Sequence, residues 1–368
     1  MSERISTTNA GTPGALRPPT GTSLAIGSMP HRDPLRAVEL LRQACPQAPC
    51  WPQLPALGFQ ENMLAQFCEG IPCLKIDREG KRVFFQRPES SPEELTAFYE
   101  RLFHAERSGD LGAFAFSESF AKGFFVFQEQ LSSRPETVPP WIKGQITGPL
   151  TFGLSILDEQ GLPALFDDTL ADIVRQAIRM KALWQIQRLQ SLQRHGILFV
   201  DEPILAGFGS AALINLSRRQ AVSTLGEIVA AVKSAGFLAG SHCCANTDWS
   251  LMVDAGVDII NFDAYSFVDS LGLYAESLAG FLKNGGFLAW GMVPSHQLGS
   301  RPTPEELFQR LTDGIRELSA RGLPREELQR NLLVTTSCGL GTLTEETSEA
   351  ALRELRQLSR LAGERLGA

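Results

Sequence analysis

Histidine and tyrosine are scarce in this chain of 368 residues, which contains five histidines and three tyrosines. The chain also lacks a block of basic residues: 34 Lys and Arg are outnumbered by 41 Asp and Glu, and the formal net charge is −7. Nucleic-acid surfaces need clustered Lys and Arg, so we expect no nucleic-acid partner. No apolar run approaches the roughly 18 residues of a membrane-spanning helix. We therefore expect no membrane partner either.

The first twenty residues are polar, rich in Gly, Pro and Thr, and lack the apolar stretch of a secretory signal. We expect residues 1–20 to form a disordered lead-in and the protein to be cytoplasmic. The chain has seven cysteines. In a cytosolic protein these are expected to be free thiols or metal ligands instead of a disulfide framework.

Short apolar runs recur along the chain and are nearly continuous in apolar residues, as is typical of parallel strands buried on both faces. The eight runs are residues 23–28, 49–54, 141–148, 197–203, 237–244, 258–263, 287–294 and 332–339. Amphipathic stretches lie between most of them. One of these has an apolar stripe made of Leu307, Leu311, Ile315 and Leu318. Strands alternating with helices in this way predict a (β/α)8 TIM barrel, with a doubly wound open sheet as the alternative.

One connection between strands is much longer than the others. Residues 55–140 separate the second and third strand candidates and contain CLKIDREGKRVFFQ, which is typical of a β-hairpin around Arg78-Glu79-Gly80. We interpret residues 21–368 as a single barrel domain. In this interpretation, residues 55–140 are an inserted hairpin and helical region, between strands 2 and 3, that folds over one end of the barrel.

Side chains with useful chemistry lie at or just past the carboxyl ends of the predicted strands. They are Ser28, Asp201, His242, Cys244, Asp263, His296 and Cys338. Barrel enzymes build their active sites at this end of the strands. The placement therefore predicts an active site formed by the loops that follow the strands.

The stretch GSHCCANT predicts metal ligands. Because side chains alternate along a strand, His242 and Cys244 face the same way and Cys243 faces the opposite way. Zinc binds His nitrogen and Cys sulfur readily, although a lone His-x-Cys pair also fits ordinary core packing. Asp263 and Cys338 end the next strand and the last strand, and both can reach the middle of the same face of a closed barrel. These two residues favour a metal site over core packing.

This pattern resembles the catalytic barrel of cobalamin-independent methionine synthase, within the superfamily that also includes uroporphyrinogen decarboxylase. The zinc sites of that family have a His-x-Cys at one strand end, a carboxylate at the next and a Cys in a late CG turn. The matching residues here are His242 and Cys244 of HCC, Asp263 of NFD and Cys338 of SCG. The family usually has Glu where Asp263 stands. The resemblance implies that these four residues bind Zn²⁺.

Three further motifs follow the order of the family. AIGS is similar to the strand-one motif whose backbone and serine hold the amino-acid substrate, which implies that Ile26, Gly27 and Ser28 bind substrate. TGPLT resembles the TGP turn of the family. VDEP is similar to the DEP motif, whose aspartate, here Asp201, binds the amino group of the substrate. From the residues alone, Asp201 is also compatible with a helix N-cap.

The resemblance implies a zinc-dependent S-methyltransferase that acts in methionine biosynthesis. It would transfer a methyl group from methyltetrahydrofolate or a methylcorrinoid protein to a thiol such as homocysteine. His296, in GMVPSH, matches a family histidine that acts in proton transfer, and an exposed loop histidine is the alternative. The chain departs from the family in having one barrel instead of two. It also has Ser155 near the position of a folate-stacking tryptophan, which weakens folate as the donor.

Two other functions stay open from the sequence. A metal-free decarboxylase similar to uroporphyrinogen decarboxylase would leave His242, Cys244 and Cys338 unexplained. A non-catalytic barrel that binds a corrinoid protein is the other. His31 either contacts a ligand or is a turn residue before the helix that starts near Asp33.

Overall fold

A computed structural model describes residues 17–296 and 300–367 of the chain. Residues 1–16 of the predicted lead-in lie outside the described residues. The end of that segment contacts the rest of the protein: Arg17 donates hydrogen bonds to Gly285 O at 2.9 Å and to Asn331 Oδ1 at 2.8 Å. Among the described residues, none of the helices has the length and apolar character needed to cross a bilayer.

Strands and helices alternate through most of the described part of the chain. The strands are β1 (Thr22–Leu24), β2 (Leu74–Asp77), β3 (Arg82–Phe85), β4 (Trp141–Thr147), β5 (Leu157–Asp158), β6 (His195–Asp201), β7 (Leu238–Cys243), β8 (Ile259–Phe262), β9 (Phe287–Val293) and β10 (Leu332–Thr336). The helices are α1 (Pro34–Ala44), α2 (Pro92–Ser108), α3 (Lys122–Ser132), α4 (Pro149–Ser155), α5 (Asp168–Gln190), α6 (Arg218–Ser234), α7 (Trp249–Asp254), α8 (Ala264–Leu271), α9 (Ala275–Lys283), α10 (Pro304–Ala320), α11 (Arg325–Arg330) and α12 (Glu345–Leu366).

Helix α10 illustrates how local sequence sets the helices. Thr303 accepts a hydrogen bond from Glu306 N, and the Glu306 carboxylate accepts one from Thr303 N at 2.7 Å, which is a capping box. Pro304 occupies the first helical position, where its missing N–H costs nothing. The apolar stripe predicted for this helix is buried, and its members are Leu307, Leu311, Ile315 and Leu318.

Seven strands form one parallel sheet in the order β1-β10-β9-β8-β7-β6-β4. One apolar cluster on its inner face contains side chains from all seven: Leu24, Trp141, Ile197, Phe199, Leu238, Ile259, Phe287, Ala289 and Leu333. In a flat sheet with strands about 4.8 Å apart, β1 and β4 would be about 29 Å from each other, too far to share one cluster. The sheet is therefore curled, and this mixed α/β arrangement is consistent with a TIM-like barrel.

The predicted second strand is not a regular strand in the structure. It makes isolated parallel bridges instead, from Cys50 to Lys143 of β4 and from Gln53 to Ser28 after β1. Its two prolines have no N–H to donate to a ladder, which accounts for the interrupted pairing. This irregular segment thus contacts both edge strands of the parallel sheet.

The long connection before β4 contains the hairpin that the sequence predicted. Strands β2 and β3 pair antiparallel, and Gly80 N in the turn donates to Asp77 Oδ1 at 2.9 Å. The first part of the connection is tied to the second-strand segment by amides: Gln53 Nε2 donates to Gln66 Oε1 at 2.8 Å, and Gln66 Nε2 donates to Glu61 at 2.9 Å. That this region folds over the end of a barrel as an insertion stays a prediction.

Candidate metal centre

The strand register places polar residues side by side at the carboxyl end of the sheet. Asp201 of β6 pairs with His242 of β7, and His242 pairs with Asn261 of β8. Paired residues on neighbouring strands project from the same face of a sheet. All three side chains are buried, with exposed fractions of 8%, 3% and 0%, respectively. They form one polar row above the apolar cluster of the inner face.

Three potential metal ligands meet at this end of the sheet. One ligand atom each from His242, Cys244 and Cys338 lies within 4.8 Å of the others. Cys244 directly follows β7 and Cys338 follows β10, and these strands are three positions apart in the sheet. Flat strands would separate them by about 14 Å, so the curl of the sheet brings the thiols together. His242 is buried, whereas both cysteines are partly exposed.

Cys243 faces away from this cluster, as the alternation of side chains predicted. It is fully buried and belongs to the apolar core that packs the outer face of the sheet against the helices. Its thiol therefore packs as a small apolar group.

The two nitrogens of His242 have different surroundings. Nδ1 is hydrogen bonded to Asn261 Oδ1, whereas Nε2 is buried and has no hydrogen-bond partner among the described residues. Metal-binding histidines commonly use one ring nitrogen for the metal and the other for a hydrogen bond within the protein. An imidazole nitrogen and two sulfurs are the donors that zinc prefers. The residues present thus fit a zinc ion.

The two thiols of the cluster lie close enough to shift each other's pKa. The neighbouring Cys338 thiol and His242 lower the pKa of Cys244, whereas the Cys244 thiol and burial raise the pKa of Cys338. Burial alone would lower the pKa of His242, but Cys244 and Asp201 outweigh it and raise that pKa.

Asp263, the fourth predicted ligand, lies outside this three-residue cluster. It is the N-cap of α8, where its Oδ1 accepts a hydrogen bond from Ser266 N at 3.0 Å. Capping satisfies a helix N–H that would otherwise have no partner, and it holds the short Asp side chain at the helix end. The structure thus brings together three of the four predicted ligands.

Asp201 does not cap a helix. The short 3-10 turn after β6 begins at Pro203, and Glu202 occupies the cap position. Asp201 Oδ1 is buried and has no hydrogen-bond partner among the described residues. Burial raises the pKa of Asp201, while the nearby charge of Lys143 opposes this effect. The carboxylate is therefore available to a cationic group that enters beside His242.

The turn after β1 packs against the Cys338 turn. Leu340 N donates to Ser28 O at 2.9 Å, and Gly341 N donates to Ser28 Oγ at 3.3 Å. Gly27 has φ +140°, and a Cβ there would lie 2.6 Å from Gln145 Nε2, so this position requires glycine. The Ile26-Gly27-Ser28 turn is consequently held next to the thiol of the last strand.

The other two histidines of interest lie apart from the cluster. His296 is exposed after β9, and its ring centroid lies 6.3 Å from that of Tyr265. Its neighbours 297–299 are outside the described residues. His31, which precedes α1, is 1% exposed, and its Nε2 lies 3.7 Å from Glu349 Oε1. It is thus a buried residue of the loop before α1, next to α12.

The sequence reasoning missed polar residues of the inner face, among them Asn261 and Lys143. Lys143 is fully buried, and its Nζ donates to Ile26 O at 2.9 Å and lies 4.5 Å from the centroid of the Phe199 ring. Both residues interrupt apolar runs at inward-facing positions. A polar residue at such a position in a buried strand was the signal that could have identified them.

The chain is similar to solved structures, one of which is a methionine synthase. No protein-family model matches the chain, and a search of curated proteins finds no match. A solved structure of a B12-independent methionine synthase from Shewanella sp. W3-18-1, in complex with selenomethionine, is 16% identical in sequence. The match has a TM-score of 0.45 and covers 67% of this chain and 67% of that chain. At these values the likeness does not assign a function, which has to be argued from the site itself.

Proposed function

We propose that this chain is a (β/α)8-barrel methyltransferase that methylates a thiol at a zinc site formed by His242, Cys244 and Cys338. One observation carries the proposal: potential ligand atoms of one histidine and two cysteines converge where the strands end, and the histidine has a ring nitrogen with no hydrogen-bond partner among the described residues. Three protein ligands leave one position of a tetrahedral zinc ion for a substrate. When bound, zinc supplies a Lewis acid that keeps a substrate thiol deprotonated at neutral pH.

The residues around the cluster suit an amino-acid thiol such as homocysteine. Asp201 pairs with the ammonium group, since its unpartnered Oδ1 lies on the strand next to His242. The Ile26-Gly27-Ser28 turn, beside the Cys338 turn, holds the remainder of the amino acid. We assign Asp263 to capping of α8 and not to the ligand set.

The methyl donor is methyltetrahydrofolate or a methylcorrinoid protein. A folate that gives up its methyl group takes up a proton as it leaves, and His296 is proposed to supply it from its exposed position after β9. A metal-free decarboxylase would leave both thiols and the unpaired His242 Nε2 without a role, and no contact of the site favours it.

The zinc content of purified protein tests the proposal. Wild type is expected to hold about one zinc per chain, and Cys338→Ser is expected to lose most of it, since one of three protein ligands is removed. Cys243→Ser is the matched control: it removes the neighbouring thiol that packs into the core on the other face. This control should keep its zinc.

Methyl transfer to homocysteine, measured on the same three proteins with both donors, should follow the zinc content. Wild type without zinc, or equal zinc in Cys338→Ser and wild type, would refute the metal site. If the protein binds zinc but does not methylate the thiol, the metal site stands and the methyltransferase function is refuted.

A further inference from the structure

Asn261 forms hydrogen bonds with three different strands at the site. Its Oδ1 is bonded to His242 Nδ1 on β7, and its Nδ2 donates to Ala289 O on β9 and to Thr335 Oγ1 on β10, both at 2.7 Å. The residue is fully buried. Its amide is thus held on both sides, and none of these contacts involves solvent.

These contacts decide which way the Asn261 amide points. A backbone carbonyl such as Ala289 O can only accept hydrogen bonds, so the group facing it must be the NH₂ of the amide. A flipped amide would place two acceptor oxygens 2.7 Å apart. The carbonyl oxygen Oδ1 therefore faces His242, and it can only accept.

The orientation of the amide in turn decides the tautomer of the imidazole. An acceptor at Nδ1 requires that this nitrogen carry the hydrogen, and in the neutral ring the other nitrogen is then an acceptor. That other nitrogen, Nε2, is buried and has no hydrogen-bond partner among the described residues, so it is the nitrogen left to act as the ligand atom of His242 in the cluster with Cys244 and Cys338. In free histidine the favoured tautomer carries its hydrogen on Nε2, so the protein selects the less favoured form.

We propose that Asn261 is a positioning residue that holds His242 with its hydrogen on Nδ1, so that the lone pair of Nε2 faces the two thiols. This inference rests on the metal site of the proposed function. It assigns the ligand atom of His242 and gives a role to a residue that binds neither metal nor substrate. Because the hydrogen-bond acceptors of Asn261 Nδ2 lie on β9 and β10, Asn261 also links the position of the imidazole to the strand that precedes Cys338.

The tautomer can be read directly from wild-type protein. Metal-free protein labelled with ¹⁵N-histidine is examined by NMR at alkaline pH, where the imidazole is neutral, and His242→Gln identifies the signals. Proton and nitrogen shifts should report hydrogen on Nδ1 in wild type. A hydrogen on Nε2 would overturn the inference. The shifts that decide it are those of wild type, and the variant serves only to assign the signals.

Zinc affinity tests the consequence. Asn261→Leu removes the acceptor with little change in volume, and we expect its zinc affinity to fall about 10- to 100-fold, as for other residues that orient a ligating histidine. Asn331→Leu is the matched control, because Asn331 is also a buried asparagine whose Nδ2 donates a hydrogen bond, to Leu282 O at 3.0 Å. Asn331 directly precedes β10 and therefore lies at the opposite end of the sheet from the metal site. The control variant should bind zinc as wild type does.

The outcomes separate the two proposals. Unchanged zinc affinity and an unchanged tautomer in Asn261→Leu would overturn the positioning role and leave the metal site intact. Hydrogen on Nδ1 in wild type, without zinc binding, would overturn the metal site and leave the Asn261–His242 pairing in place.

Discussion

Buried polar residues at the end of the sheet are of two kinds. Asn261 makes its hydrogen bonds within the protein, whereas Asp201 Oδ1 and His242 Nε2 each have no partner in the part of the chain that the structure describes. Buried polar atoms are nearly always paired in folded proteins, because an unpaired one costs about 1–3 kcal/mol. Asp201 and His242 are paired in register on adjacent strands, so a single ligand could satisfy both unpaired atoms.

The Asp201 carboxylate gives a test of substrate binding that is separate from metal binding. Asp201→Asn keeps the shape but loses the charge, so a charge-assisted hydrogen bond to the substrate ammonium is lost. We expect the KM for homocysteine to rise about 10- to 100-fold, from roughly 1.5–3 kcal/mol for such a bond. Steady-state kinetics of methyl transfer provide the measurement.

The control for this variant is the same thiol acid without its amino group. Wild type and Asp201→Asn should use it equally poorly, and both should hold the same amount of zinc. An equal loss with both thiols would mean that Asp201 acts on the site as a whole and not on the ammonium group.

At the scale of elements, a buried carboxylate joins separate parts of the long connection before β4. Glu61 is 3% exposed and accepts hydrogen bonds from Lys122 N at 2.7 Å, at the start of α3, and from Gln66 Nε2 at 2.9 Å. Burial raises the pKa of Glu61 to about 7, although these hydrogen bonds act in the other direction. The strength of this link within the connection therefore depends on pH.

The sign of this dependence follows from linkage. The pKa of Glu61 is raised from 4.5 to about 7 in the folded protein, so the folded state binds the proton more tightly than the unfolded state. Its contribution to stability is fully present below about pH 4.5 and is lost as the pH rises through about 7. We expect the midpoint of thermal unfolding to fall between about pH 5 and pH 8 by less in Glu61→Gln than in wild type.

Glu94→Gln serves as the control for that experiment. Glu94 accepts a hydrogen bond from Cys73 N at 2.8 Å, and this bond, more than any other contact, lowers the pKa of Glu94. It therefore does not titrate between these pH values, and its variant should parallel wild type. Parallel curves for Glu61→Gln would show that burial does not shift its titration.

At the scale of the whole molecule, the site exists because the sheet curls. His242 and Cys244 belong to β7 and the loop after it, whereas Cys338 follows β10. A metal ion held by all three would connect the two loops across the carboxyl end of the sheet. Ligands that bind only the folded state stabilise it by mass action, by about 2.7 kcal/mol at a free concentration 100 times the dissociation constant.

Metal removal should accordingly lower the stability of the whole protein. We expect a chelator to reduce the thermal midpoint of wild type and Cys243→Ser, and zinc to restore it. Cys338→Ser should respond much less to either treatment, because it cannot form the full ligand set. Calorimetry or circular dichroism would measure the midpoints, and an equal response of all three proteins would contradict a structural link through this site.

The sequence by itself determined most elements of the fold. Apolar runs identified the seven strands of the parallel sheet, and the capped stripe of α10 and the hairpin around Gly80 were also predictable. These features are local, because periodicity and turn residues act over a few positions. Alternation along β7 similarly determined that Cys243 faces the core and that His242 and Cys244 share the other face.

Only the tertiary structure decided which of these side chains meet. Cys338 is 94 residues from Cys244 along the chain, and their proximity depends on the curl of the sheet, which no local pattern encodes. The strand register placed Asn261 beside His242. Asp263 caps the helix that follows β8, so its side chain is held at the helix end. The broken pairing at Cys50 and Gln53 depends on two edge strands that are distant in sequence. Such contacts arise from packing between separate elements, so they appear only once the whole chain is folded.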